Sequence, residues 1–495
     1  MQIIIIGSGP AAFAAVQAIL DQDPSITPTI VAPSTSTEAH PFEGTPPSMW
    51  PDKAYDELNT MIKKKSGSSF MPVRSHFGNM FTSWKGTPLI KSDYFGGLGK
   101  FWSCGMFPLS PSELIKWPFT YEEIKPFYKR IGEVVGISGK DDQLNDYFGD
   151  SFATRPPVYK PPIAQKFYEK FSQIKNKHPD FRFSIGVNRL ALETRVENEK
   201  SCINCGYCMY GCFKKSLFNP ADSLKEFEED KRIKIINDKA LGVFKTINGW
   251  DVKLANNQTI QADKVFLCAG AIGTSEILLR SFSLFNKEVF IDDNENYLFG
   301  LISNKAAKKN PSSFSFGTLT LGVLSKDKYA QASLTTLPDM FLDYIIPRRI
   351  NKYLQPFFKI FQNRILLGRL HIDGLSASKY SMSLTKEGVL NIKQVRTKAS
   401  DTQAKKILKA LDINLKGTNF RRIKGLMIHA PSSAHYVGGF ANGEHGVCVK
   451  ADGVLKEGLY VCDSSAFPAN PSQPLTFTIM ANAMRVVTKA IKDRN

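Results

Sequence analysis

The sequence predicts an α/β protein: a Rossmann-like domain on a parallel sheet, joined to an α+β domain with an antiparallel sheet. Three observations carry this prediction. The chain opens on an apolar β-branched run, Ile3 to Ile6, then a glycine-rich turn and an alanine-rich helical stretch from Phe13 to Leu20. Strand–turn–helix patterns recur far downstream, around Ala269-Gly270 and Asp463-Ser464. Between them, residues 371–400 alternate apolar and polar (Tyr380 to Leu384, Val389 to Lys393), as antiparallel strands do. The 495 residues, 42% hydrophobic, are enough for more than one core.

The first unit reads Gly7-Ser8-Gly9-Pro10-Ala11-Ala12 between strand and helix. Gly7 permits the tight turn, and Gly9 lets the backbone approach a pyrophosphate. Ala12 is small enough for close helix–strand packing. The helix N-terminus, with Pro10 and Ala11 in its first turn, faces the phosphates. The second strand, Thr29 to Ala32, ends in Ala32-Pro33-Ser34. A ribose-binding carboxylate is expected there, and none occurs before Glu38. The ribose contact therefore falls to Ser34 and backbone groups, or to Glu38 reaching back.

Three further segments sharpen the reading. They are Gly96-Gly97-Leu98-Gly99-Lys100-Phe101-Trp102-Ser103-Cys104-Gly105, then ADKVFLCAGAIGTSEILLRS from Ala262 to Ser281, and GLYVCDSSAFPANPSQPLTFTIMANAMR from Gly458 to Arg485. In the second, a strand leads through Ala269-Gly270-Ala271 to Thr274-Ser275 opening a helix. In the third, a strand ends at Asp463-Ser464 and a helix runs from about Thr476, after Leu475. Together with the N-terminal unit these segments resemble the glucose–methanol–choline oxidoreductases. The glycine-rich segment is most similar to the pyranose and sugar-oxidising branch. The resemblance implies FAD, held non-covalently because Phe101 stands where some members carry a flavin-linked histidine. On physical grounds Gly96, Gly97 and Gly99 let backbone lie flat against a flavin. Trp102 and Ser103 sit beside it, with core packing an equal reading for Trp102. Asp463 and Ser464, at a strand end near a helix start, offer backbone N–H groups to pyrophosphate or flavin edge.

Alcohol oxidation needs a base for the hydroxyl proton. His435-Tyr436-Val437-Gly438-Gly439 matches the family's histidine segment, which makes His435 the candidate base, while His429 on an apolar run is read as structural. The family's second active-site position aligns with Pro474. Gln473, Asn470 and Ser472 are the neighbouring candidates.

Cys202-x2-Cys205-x2-Cys208-x3-Cys212 has the spacing of a ferredoxin-type run, with Gly206 and Gly211 for its turns. Phe213 replaces the proline that commonly follows. Spacing alone leaves an iron–sulfur cluster, a zinc site and a metal-free thiol loop open. A cluster would favour a dehydrogenase over an oxidase, with electrons leaving to a protein or quinone acceptor. Cys104, Cys268, Cys448 and Cys462 are expected to be buried.

The formal charge of +18 favours anionic partners: a phosphorylated or lipid-linked sugar, or acidic lipid headgroups. Residues 347–370 hold six Arg or Lys and no carboxylate, with aromatics near helical spacing. This suits an ordinary amphipathic helix on the core, ahead of a helix in a membrane interface. No nucleic-acid module is recognised. The opening residues carry no signal-peptide pattern, so a cytoplasmic protein, at most peripheral to the membrane's inner face, is expected.

The signatures divide the chain. Residues 1–144 (with an excursion at 36–92), 201–285 (with the cysteine loop 202–212) and 429–495 build the FAD domain. Residues 145–200 and 286–428 build the substrate domain. Ser110-Pro111-x-Glu113 and Thr120-x-x-Glu123 read as helix-capping boxes. The expected activity is oxidation of a CH–OH group in a sugar-like donor.

Overall fold

The computed structural model describes residues 1–33, 45–46, 49–53, 83–84, 87–88, 91–100, 102–208, 212–308, 313–325, 328–337, 350, 353–354, 357, 361–377, 379–395, 397–430 and 433–492. Ser34, Glu38, Phe101, Gly211 and Arg348-Arg349 lie outside these residues, as does most of the 36–92 excursion.

The centre of the parallel-sheet layer, the nucleotide layer of the sequence-based expectation, is the strand Ile3–Ile6. It pairs in parallel with Thr29–Ala32 on one side and Lys264–Leu267 on the other, so that Ile4 lies opposite both Thr29 and Val265. Lys234–Asn237 and Leu459–Val461 extend the sheet outward, still parallel, and Val454–Lys456 closes one edge antiparallel. Ile3 and Ile5 enter one hydrophobic core, and Ile4 and Ile6 enter the other. A strand buried on both faces must be apolar throughout, which is why the sequence shows a run and no alternation. Each buried isoleucine contributes about 2 kcal/mol.

One face is covered by the helices Pro10–Gln22 and Thr476–Lys492, whose alanines allow close approach. The other face meets the helix Gly270–Ser281 and the small sheet Ala240–Thr246, Gly249–Leu254, Thr259–Ala262. A four-stranded antiparallel sheet (Leu390–Val395, Lys379–Leu384, Val289–Asp292, Val437–Gly438) packs into this same core through Val289, Tyr380 and Met382. The first three of those strands fall within the sequence assignment to a substrate domain, yet their apolar faces pack into the core of the parallel layer.

The second layer is a six-stranded antiparallel sheet in the order Phe420–Ala430, Glu295–Ser303, Ile365–Ile372, Lys328–Thr336, Leu319–Ser325, Arg182–Val187. Its outer face packs on the helices Pro162–Phe171 and Ala399–Asn414. The fold is thus α/β with one parallel sheet and separate antiparallel sheets.

Several local expectations change. The helix after Ala269 begins at Gly270, one turn before Thr274-Ser275. The last strand of the parallel sheet stops at Val461, and Asp463 starts a short 3-10 turn, Ser464–Ala466. Residues 365–370 are strand, not helix, because alternate side chains Leu366, Leu370 and Ile372 enter the core. Thr120 and Glu123 form the expected capping box on Tyr121–Val135. Ser110 and Glu113 exchange the same reciprocal bonds, at 3.0 and 3.3 Å, over the 3-10 turn Glu113–Lys116. Among the described residues no helix is long and apolar enough to cross a membrane.

Candidate active site

A cavity of about 540 Å3 separates the two layers. On the nucleotide side it is lined by Gly7, Gly9, Pro10, Ala11, Ala269 and Gly270, and by Gly97, Gly99, Trp102 and Ser103. Asp463, Ser464, Leu475, Thr476 and Pro474 complete that side. From the opposite sheet come Leu298, Gln331, Ser333, Arg369 and His371, and His435 stands between. Gly96, Asn470 and Gln473 do not line it.

The glycine turn is shaped by the sheet itself. Gly7 has φ +117°, and a Cβ there would stand 2.3 Å from the Cys268 carbonyl oxygen, so only glycine fits. The Pro10–Gln22 helix has no side-chain cap at its start, where Gly9 is the N-cap and Pro10 the first residue. Its free first-turn N–H groups therefore suit an anion. Ser8 ties this turn to the second glycine segment, its Oγ accepting from Gly96 N–H at 2.9 Å. Gly99 is small for a reason other than a flat ligand: a Cβ there would meet Pro10 Cδ at 2.7 Å and Pro220 Cγ at 2.9 Å. Trp102 does both things considered for it, lining the cavity while its indole N–H donates to the Phe218 carbonyl at 2.9 Å.

The side chain of Asp463 is a fixed acceptor. Its carboxylate receives Gly270 N–H (2.8 Å), Thr274 Oγ1–H (2.5 Å), Ser465 N–H (3.0 Å) and Ser465 Oγ–H (2.7 Å). It thereby caps the Gly270–Ser281 helix, and burial raises its pKa. Glu276, on the same helix, lines the cavity with Ala32 and Pro33 and holds Lys239 at 2.9 Å and Lys91 at 3.6 Å. It supplies a carboxylate at the end of the second strand, where the strand's own sequence has none. Its distance along the chain hid it from sequence reading.

His435 is held by its backbone. Its N–H donates to Asp293 Oδ1 at 3.0 Å, and its carbonyl accepts from Asn470 Nδ2 at 2.5 Å. Asp293 also binds Ser433 through N–H and Oγ–H. The imidazole Nδ1 is buried without a hydrogen-bond partner. Burial first, and the Arg369 cation second, push the His435 pKa down to about 3, so the ring is neutral at pH 7. Asn470 acts through this clamp instead of lining the cavity. Gln473 is fully buried and donates Nε2–H to Glu113 Oε2 at 2.8 Å, behind the wall. Burial raises Glu113 to about 7. Ser472 is likewise fully buried. His429 stays structural on its strand, 3.7 Å from Glu295.

The four clustered cysteines lie in one loop and form no disulfide, and burial raises Cys202 to about 12 and also raises Cys205. Among the described residues no three His, Cys, Asp or Glu are grouped to hold a metal ion. Cys104, Cys268 and Cys462 are buried as expected. Cys448 is exposed, because its segment Cys448–Lys450 runs over the surface.

Sequence-reading missed Arg369, His371 and Gln331. The signal for Arg369 and His371 was a period of two in Gly368-Arg369-Leu370-His371-Ile372, masked by the preceding helical aromatic spacing, while Gln331 lies on the separate strand Lys328–Thr336.

No family model and no curated protein matches the chain by sequence. Solved structures do match in fold. One is pyridoxine 4-oxidase from Mesorbium loti, with TM-score 0.59 and 14% identity, covering 99% of this chain and 98% of that one. Another is an FAD-dependent oxidoreductase from Chaetomium thermophilum in complex with a fragment, with TM-score 0.59 and 11% identity, covering 99% of each chain. The chain has the α/β fold, with parallel and antiparallel sheets, found in FAD-dependent oxidoreductases. At such identity the likeness establishes the fold alone.

Proposed function

We propose that the protein is a FAD-dependent oxidoreductase of the glucose–methanol–choline type, oxidising the CH–OH group of a sugar or sugar-like donor. The observation that carries this is one cavity in which an uncapped helix N-terminus, a glycine turn and a neutral imidazole meet. The residues fit FAD: Gly7 and Gly9 leave the backbone bare at the helix start, and the cavity continues past Trp102 to His435. FAD supplies a two-electron acceptor for the donor's hydride. His435, neutral and clamped by Asp293 and Asn470, takes the hydroxyl proton. Purified protein should be yellow, its visible bands should bleach anaerobically with the right donor, and His435→Ala should stop the bleaching while keeping the colour.

A second reading adds an iron–sulfur cluster at Cys202, Cys205, Cys208 and Cys212, which favours a dehydrogenase with a protein or quinone acceptor. One contact supports it: Ser216 N–H points at Cys212 Sγ (3.3 Å), as donors to cluster sulfurs do, although the four cysteines are not grouped around a common point in this structure. Iron and acid-labile sulfide assays on anaerobically purified protein decide it. Peripheral contact with anionic membrane is supported by the exposed Ile350, Tyr353, Leu354, Phe357 and Phe361. Sedimentation with anionic but not neutral vesicles tests that.

A further inference from the structure

The sheet side of the cavity carries a polar patch that proton removal by His435 does not require. Along Ile365–Ile372 alternate residues face the cavity, among them Arg369 and His371. On the neighbouring strand the register sets Gln331 opposite His371 and Ser333 opposite Arg369. Gln331 is fully buried, yet neither its amide oxygen nor its nitrogen has a hydrogen-bond partner. His371, 6% exposed, has an unpartnered Nδ1.

Arg369 adds a cation to the same spot. The carboxylate acting on it is Asp293, whose oxygens already receive Ser433 and His435. The rest of this wall carries Ser333 and Thr335 beside the apolar Leu298, Leu367, Leu426 and Ile428, and no second cation or carboxylate among these lining residues. Buried polar atoms without partners are costly, and a weakly countered cation more so. Three such groups on one patch are explained by a ligand that satisfies them together. Neutral hydroxyls could bond Gln331 and His371 but would leave the guanidinium charge unmatched. A carboxylate or phosphate offers two oxygens to the guanidinium fork and others to the amide N–H and imidazole donors, and a hydroxyl of the same molecule can donate to the Gln331 amide oxygen.

We propose that Arg369, His371 and Gln331 form a recognition subsite for an anionic group, a carboxylate or a phosphate, on the alcohol substrate. This rests on reading the cavity as an alcohol-oxidising site and adds the substrate class to it. The rings of His371 and His435 lie 5.8 Å apart. The anion and the oxidised carbon therefore belong to one small molecule, such as a hydroxy acid, a uronic acid or a sugar phosphate.

The test compares matched donors on the flavin-loaded protein: glucose, glucuronate and glucose 6-phosphate, read by anaerobic bleaching. Calorimetric titration with acetate and with inorganic phosphate reads binding without turnover. The expected result is that one anionic donor is preferred over glucose by about tenfold or more in kcat/KM. Whichever of glucuronate and glucose 6-phosphate wins identifies the group. Arg369→Gln should raise KM for that donor about tenfold more than for glucose and abolish binding of the matching simple anion, with Arg369→Lys intermediate. Gln331→Leu provides a second variant if Arg369→Gln loses its flavin. Equal use of all three donors, or glucose preferred, with anion binding unaffected by either variant, overturns the subsite. Bleaching by no alcohol at all, with Arg369-dependent anion binding intact, overturns the alcohol-oxidising reading and leaves the anion site standing.

Discussion

The imidazoles of His371 and His435 stack with ring centroids 5.8 Å apart and planes 20° from parallel, though one comes from the antiparallel sheet and the other from a loop below it. Both are pushed toward the neutral form, chiefly by burial and further by Arg369. A base with a pKa near 3 is too weak for efficient proton removal at pH 7. An anion at the proposed subsite would offset the Arg369 cation and raise the His435 pKa from that value, while burial, the larger cause, would still hold it down.

The pH dependence follows from that coupling. With a neutral donor, the acid limb of the bleaching rate should fall well below pH 6, and with an anionic donor it should move upward. Arg369→Gln should move it upward for the neutral donor too. Stopped-flow rates between pH 4 and 9 check this, and identical limbs for all cases count against it. In stability, the unfolded His435 binds a proton between about pH 3 and 6.5 that the folded form refuses. The folded state is therefore fully favoured above pH 6.5 and weakens as pH falls through that window.

Glu113 runs the other way. Its folded pKa, about 7, exceeds the ordinary 4.5, so folding is favoured below pH 4.5 and loses that contribution as pH rises through 7. Glu113→Gln should flatten melting temperature against pH between 5 and 8 and stabilise the protein at pH 8 by about 1–2 kcal/mol. An unchanged slope would show that Glu113 does not titrate in that range.

Gly7→Ala should cost flavin before it costs the fold's outline. The new Cβ would overlap the Cys268 carbonyl, and φ +117° is strained for alanine. We expect colourless protein, destabilised by about 2–4 kcal/mol in urea titration. Yellow protein with a normal midpoint would contradict the turn's assigned role.

Asp463→Ala leaves four donors unanswered, two of them on the Gly270–Ser281 helix. A loss of about 2–4 kcal/mol is expected, most of it retained in Asp463→Asn, which keeps only part of the acceptor set. Chemical denaturation of both variants checks this.

Asn470→Ala removes the donor to the His435 carbonyl without touching the cavity. It should lower kcat about tenfold with flavin content unchanged and KM little moved. A rise in KM with kcat intact would mean that Asn470 meets substrate.

The parallel sheet was readable because its strands are local and buried on both faces, so Ile3–Ile6 and Thr29–Ala32 stand out with their true limits. The glycine turn and the Asp463 segment were readable for the same reason, since strand, turn and helix are contiguous. His435 and its loop could be placed. What held them could not, because Asp293 and Asn470 arrive from 142 and 35 residues away. Gln473 and Asn470 were candidates by proximity in sequence, but the Asn470–Gln473 segment turns behind the wall. Arg369 and His371 were lost in a stretch that looked helical. Only sheet register shows that they share a face with Gln331.

The register of Ile3–Ile6 with Lys264–Leu267 also fixes an order in time. At about 5–20 residues per second, roughly a quarter of a minute or more separates synthesis of Ile5 from that of its partner Phe266. Through that interval a strand apolar on both faces waits with one neighbour, Thr29–Ala32, and one open edge. The first strand to leave the ribosome therefore keeps an open edge until more than half of the chain has been made. Shielding by a chaperone holdase through that interval should raise the yield of folded protein.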